Sequence, residues 1–192
     1  PDMEPQKSTT DEIGTKWDLL NNRLSLTTAI YKTTVENETM TEADGSTTQN
    51  GEKEVDGIEF GAVGEITDKW NVMAGIAKMN TEYTKATSSN EGVSLRFSPE
   101  HTATLWSTYK VLPKLTLGAG AEYRDQVFVN TTAPKYLPTY TIYNAMAKYD
   151  VNRNVNVQLN VNNISDKQYF TSAHAAHYAF EGNGRNAVLA IN

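Results

Sequence analysis

The arrangement in this sequence most like a chemical motif is His174-Ala175-Ala176-His177. Two imidazoles three residues apart can hold one metal ion from a single helical turn. No third ligand stands near them in sequence, so a pair of loop histidines is the plainer reading. Neither they nor His101 has a Ser or Asp partner in a recognisable motif, which leaves nucleophilic catalysis without a candidate. Glu59 and Glu65 share a strand face but lie about 20 Å apart at strand rise, too far to work as a carboxylate pair. Gly118-Ala119-Gly120 sits inside an alternating segment and is no phosphate-cradling loop. Glu122, Arg124 and Gln126 share one face, as either an Arg–Glu network on a wall or a ligand contact. Cysteine is absent, which excludes disulfides, thiolate metal sites and a cysteine nucleophile. The chain is not expected to be an enzyme.

The elements that must carry these side chains are strands. Hydrophobic residues make up 39% and mean hydropathy is −0.53, ordinary for a soluble protein, but the order of the residues is not. Val155, Val157, Leu159 and Val161 alternate with Asn154, Asn156, Gln158, Asn160 and Asn162. Leu115, Leu117, Ala119, Ala121 and Tyr123 alternate with Thr116, Gly118, Gly120, Glu122 and Arg124. Ile13, Thr15, Trp17 and Leu19 do the same against Glu12, Gly14, Lys16 and Asp18, and Ile58 to Ile66 against Glu59 to Glu65. This is period two, and helical spacing fails in every window. No run of apolar residues is long enough for a spanning helix. The net charge of −6, with no dense basic stripe, argues against nucleic acid as a partner. Pro1 to Thr10 are polar and show no secretion signal.

Short turns and long connections alternate strictly. The short turns are Leu20 to Arg23, Thr67 to Lys69, Leu112 to Lys114 and Asn152 to Asn154. The long ones are Val35 to Glu54, Thr84 to Phe97, Val129 to Pro138 and Ile164 to Asn183. About nine strands follow, at 11–20, 23–34, 55–66, 70–83, 100–111, 115–128, 139–150, 154–163 and 184–192. Met73 and Met79 blur the alternation of the fourth. Several strands reach the nine to eleven residues a tilted membrane strand needs, about twice the soluble average. Trp17, Trp70, Tyr109 and Tyr149 cluster at the short turns, and Tyr31, Tyr83, Tyr123, Phe128 and Tyr140 toward the long loops. Two aromatic belts flanking small aliphatics suit two membrane interfaces. The expected fold is all-β, an antiparallel transmembrane barrel around a wet interior. A soluble β-sandwich binding module is the alternative, and a small autonomous barrel (channel or adhesin) is another. The first strand runs from the long-loop rim and the count is odd, as in a fragment whose earlier strands are missing.

Several segments carry a family resemblance: Glu12-Ile-Gly-Thr-Lys-Trp-Asp18, Phe97-Ser-Pro-Glu-His-Thr102, Asn160-Val-Asn-Asn-Ile-Ser-Asp-Lys-Gln-Tyr169 and Gly184-Arg185. They resemble the C-terminal half of TonB-dependent siderophore receptors of the catecholate, Fiu-like type, over essentially the whole chain. The resemblance implies an outer-membrane barrel of about 22 strands, with residues 1–192 as its C-terminal portion and no plug domain. It implies uptake of a ferric siderophore, coupled to the TonB complex through a missing N-terminal region, with no intrinsic cofactor. The family ends in an aromatic residue, whereas this chain stops at Asn192. A ferric tricatecholate is a large anion with aromatic faces, and its receptor should offer cations and flat rings on the extracellular side. Lys135, Tyr136, Tyr169, Phe170, His174, His177, Tyr178 and Arg185 are the candidate contacts. Tyr169, Phe170 and Phe180 would equally serve to pack the base of the loop.

Overall fold

A turn too short to cross a sheet makes the neighbour in sequence the neighbour in space, and that rule builds this molecule. A computed structural model describes residues 3–42, 44–87, 90–130, 135–174 and 177–192. Its strands are β1 (Lys7–Leu19), β2 (Leu24–Thr41), β3 (Thr47–Thr67), β4 (Trp70–Lys85), β5 (His101–Leu112), β6 (Leu115–Arg124), β7 (Val127–Asn130), β8 (Lys135–Leu137), β9 (Tyr140–Asp150), β10 (Asn156–Asn162), β11 (Phe170–His174), β12 (Tyr178–Glu181) and β13 (Asn186–Ile191). Nine of them form one antiparallel sheet in the order β1-β2-β3-β4-β5-β6-β9-β10-β13. The pairs β7-β8 and β11-β12 are small hairpins within the last two long connections. The first turn places Leu20, Asn21 and Asn22 at left-handed φ values of 53°, 58° and 64°. Beside it Arg23 pairs with Asp68 of the next short turn, tying one rim together.

Register sorts the side chains. Phe60 opposes Ile76, Ile76 opposes Ala103, Ala103 opposes Tyr123 and Tyr123 opposes Thr141. Nearer the short turns, Trp70 opposes Tyr109, Tyr109 opposes Leu117, Leu117 opposes Ala147, and the row runs on through Leu159 to Leu189. Among the described residues nothing covers this apolar face: Ile13 is 84% exposed and Leu189 63%. Among the described residues the buried apolar side chains are Ala29, Val127, Val129, Leu137 and Ile142, and three of these belong to the β7-β8 hairpin. A sandwich would bury one full sheet face, so that alternative fails. Water cannot be the intended solvent for such a surface either, since a patch of this size on a soluble monomer is an association site.

The opposite face carries Lys16, Glu59, Thr104, Glu122, Asn144, Lys148 and Asn160. It also holds an apolar spot. Met73 opposes Trp106, whose indole lies flat across Gly118 and Gly120, where a Cβ would come within 2.9 and 2.5 Å of the ring. The blurred alternation of β4 thus has a cause: Met73 and Met79 stand on the polar face, opposite Val63 and Gly57.

The structure corrects three expectations. Residues 35–54 are not a free loop, because β2 and β3 continue as a hairpin to Thr41 and Thr47. Polar residues on both faces hid the alternation. Ion pairs Lys32–Glu54 (2.7 Å), Lys53–Glu38 (3.0 Å) and Lys85–Glu52 (2.6 Å) reinforce it. The sixth strand ends at Arg124 rather than 128, because Asp125 breaks the ladder by accepting from Gln126 N and the Thr139 hydroxyl. The upper aromatic belt is largely misassigned. Tyr31, Tyr83 and Tyr140 oppose Gly57, Lys53 and Arg124 on the polar face, and of that set only Tyr123 shares the apolar one. Residue type alone does not fix parity; Tyr31 turns inward because its ring rests across Gly57. The belt at the short turns stands as expected, with Trp70 Nε1 donating to Ser107 Oγ at 2.8 Å.

Candidate functional site

The connection from Asn163 to Arg185 leaves the sheet at a residue built for leaving. Asn163 has φ 49°, a left-handed value that asparagine tolerates better than most side chains. It is 1% exposed and fully engaged. Its Nδ2 donates to the Lys167 and Asn183 carbonyls (2.8 and 3.1 Å), its Oδ1 accepts from Lys167 N (2.9 Å), and its own N donates to Asn144 Oδ1. Asp166, at φ 52°, accepts from Arg185 N at 2.7 Å. The segment Asn160 to Tyr169, with Gly184-Arg185, is therefore a staple that closes both ends of the loop.

Above the staple the candidate residues divide. Tyr169 packs its ring 4.7 Å from that of Tyr140 and lies over Gly182, whose amide donates to the Tyr169 carbonyl. Burial pushes the Tyr169 hydroxyl above its ordinary pKa, with Tyr140 and Glu122 adding to the effect. Phe170 packs against Val127, Val129 and Leu137 of the other hairpin. These two are the base of the loop. Arg185 stays at the staple, its guanidinium reaching toward the Ile164 carbonyl at 3.5 Å. His174 and Tyr178 pair across the β11-β12 hairpin, and with His177 they are exposed, Tyr178 at 70%. Lys135 and Tyr136 open β8, exposed as well, and the Tyr136 ring sits 5.4 Å from Phe128. The structure thus gathers His174, His177 and Tyr178 at one tip, sets Lys135 and Tyr136 on a neighbouring hairpin, and keeps Tyr169, Phe170 and Arg185 below.

Arg124 has a role that the residue pattern did not disclose. Its guanidinium donates to the Thr171 carbonyl at 2.8 Å and reaches the Phe97 carbonyl at 3.4 Å, joining two loops to the wall instead of pairing with Glu122. Phe97, at φ 63°, donates its amide to the Phe128 carbonyl. A polar cavity of about 360 Å³, also unanticipated, opens between the β2-β3 extension and the β4-β5 loop, lined by Glu38, Tyr83, Lys85 and Arg96 among others. The signal for it was a lone Arg in a loop of small polar residues, too weak to single out.

A family model described as TonB dependent receptor-like, beta-barrel, matches residues 1–164. The chain belongs to that family. Over 202 residues it is 50% identical to the probable TonB-dependent siderophore receptor PiuA of Acinetobacter baumannii, covering 99% of this chain and 27% of PiuA. It is 37% identical over 198 residues to the catecholate siderophore receptor Fiu of Escherichia coli K12, covering 100% of this chain and 26% of Fiu. The crystal structure of PiuA superposes with a TM-score of 0.91 at 48% identity over 96% of this chain and 28% of that one. The chain therefore spans about a quarter of the length of these TonB-dependent receptors. Its sheet is a sector of an outer-membrane barrel wall, the apolar face turned to lipid and the polar face to the lumen. The family is one of transport receptors, not enzymes.

Proposed function

We propose that residues 1–192 form the C-terminal portion of the barrel of a receptor that imports a ferric siderophore of the catecholate class, energised through TonB by parts of the protein outside this sequence. The observation that carries the reading is the likeness to Fiu along the full chain. The site chemistry agrees with it. A ferric tricatecholate presents negative charge and flat rings. The β11-β12 hairpin offers Tyr178, His174 and His177 at its tip and exposed Phe180 lower on the same hairpin, and the rim adds Lys135, Tyr136, Lys85 and Arg96. Tyr169, Phe170 and Arg185 hold the hairpin in place and act through it.

The test is uptake of radioactive iron from a ferric catecholate by cells whose only such receptor is the full-length protein. Replacing Tyr178 and Phe180 together by Ala removes two aromatic contacts of about 1 kcal/mol each, and uptake at limiting ligand is expected to fall about thirtyfold. Unchanged uptake with the variant present in the outer membrane removes the hairpin tip from the site. Uptake that continues without TonB favours a passive channel instead.

A further inference from the structure

His101 is the first residue of β5 and shares the lipid-side face with Ala103 and Leu105, opposite Lys78. Asp125 follows two residues after Tyr123 on the same face. With Glu100 they form a cluster at the rim, just above the apolar band, and Glu100 and Asp125 line a cavity that Phe128 and Tyr136 also line. The His101 Nδ1 and Asp125 Oδ2 atoms are 3.1 Å apart, and His101 Nε2 and Glu100 Oε1 are 3.9 Å apart. One ligand atom from each of the three groups lies within 4.8 Å of the others.

We propose that His101 Nε2 and the Glu100 carboxylate form a two-point binding site for a zinc-class divalent cation, with Asp125 as the carboxylate that orients the imidazole. The division of labour follows from the hydrogen bonds. Asp125 Oδ1 already accepts from Gln126 N (2.9 Å) and Thr139 Oγ1 (3.0 Å), and its Oδ2 faces Nδ1. A carboxylate so occupied fixes the Nδ1–H tautomer and leaves the Nε2 lone pair bare. Metal-ligating histidines almost always have this partner on their other nitrogen. Bonds of about 2.1 Å at a tetrahedral angle separate two ligand atoms by about 3.4 Å. The 3.9 Å found closes with a small shift of the Glu100 side chain, which is 55% exposed. Lys78 Nζ, 3.7 Å from Glu100 Oε1, is the resident counter-charge. It is a single ammonium against two carboxylates, and its exposed stem can swing aside. Water would complete the coordination. A bound cation would join the end of the β4-β5 loop to the corner between β6 and β7.

Of the three histidines in this sequence only His101 belongs to the cluster, so substitution separates it from the loop pair. The full-length receptor, untagged and in detergent, is titrated with Zn²⁺ by equilibrium dialysis and with Co²⁺ by visible absorption. One equivalent is expected to bind in the micromolar range. That equivalent should be lost in His101→Gln and in Glu100→Gln, and weakened about 10- to 100-fold in Asp125→Asn. It should be retained in a His174→Ala/His177→Ala double variant. Glu100→Gln leaves the His101–Asp125 bond in place, so loss of metal there is not loss of fold; heat-modifiable migration on a gel checks the barrel in each case. Absence of binding to the parent receptor overturns the proposal. So does a stoichiometry that both single variants leave unchanged, or one that falls with the loop pair.

Discussion

Two long connections that look alike as sequence are held by opposite means. Between β2 and β3 the strands continue past the apolar band, so main-chain ladder bonds carry the structure and the ion pairs are additions at its surface. Between β10 and β13 the chain leaves the main sheet, and a few side chains anchor its small hairpin: Asn163 at the base, Tyr169 against Gly182 and Tyr140, Arg124 from the wall. The first design spreads its stability over many equivalent bonds. The second concentrates it, and single substitutions should reveal the difference.

The largest effect is expected at Asn163→Ala. Removing the amide takes the partner from the Lys167 amide and the Lys167 and Asn183 carbonyls at a part-buried place, at about 1 kcal/mol for each of the three bonds. Residues 164–183 should become the first site of limited proteolysis, while residues 35–54 keep their resistance. An unchanged cleavage pattern would show that the loop does not depend on its staple. Next in size is Gly182→Val. A Cβ there falls 2.1 Å from the Tyr169 ring, so the ring must leave Tyr140, at about 1–3 kcal/mol for a forced rearrangement. The expected readout is faster hydrogen exchange across Phe170–Glu181 with none at Thr47–Gly51; equal exchange in both would count against a local hinge.

The smallest effect separates the regions by pH. The Lys85 ammonium, with help from Thr84, holds the Glu52 carboxyl below its ordinary pKa of 4.5. A lowered native value means a contribution present above the ordinary pKa and lost as pH falls through the native one. Burial raises the Tyr169 hydroxyl above its ordinary 10.0. Its contribution is full below that value and is lost as pH rises through the native one. Exchange in the β2-β3 extension should therefore quicken first in acid, and in the loop after Asn163 first in strong alkali. The exposed ion pair makes the acid effect slight, since such pairs contribute about 0–1 kcal/mol. Both regions loosening at the same end of the scale would break the distinction.

The strands were legible wherever lipid on one side and water on the other forced alternation, as in Val155 to Val161. Where water lies on both sides the signal vanishes. For that reason the upper parts of β2 and β3 passed for a loop although Val35, Thr41, Thr47 and Thr48 are good strand formers. Asn163 was hidden among the lumenal asparagines 154, 156, 160 and 162. Only its place after Asn162, out of step with the alternation, marks it as the exit from the sheet. Phe170 and Tyr169 could be read as ligand contacts or as packing at the loop base, because nothing local tells a ring at the base from a ring at the tip; the structure puts both at the base. The His101–Asp125 contact joins residues 24 apart that meet only through the β5-β6 register.

The rings that rest on glycines along the inner surface have a mechanical meaning. Trp106 over Gly118 and Gly120, and Tyr31 over Gly57, lie down where neighbouring side chains have been removed to receive them. Bulk laid parallel to the staves adds little thickness, so the bore keeps its clearance even where it carries its largest side chains. Filling any of those hollows with a methyl group would tip a ring upright and narrow the passage at that height.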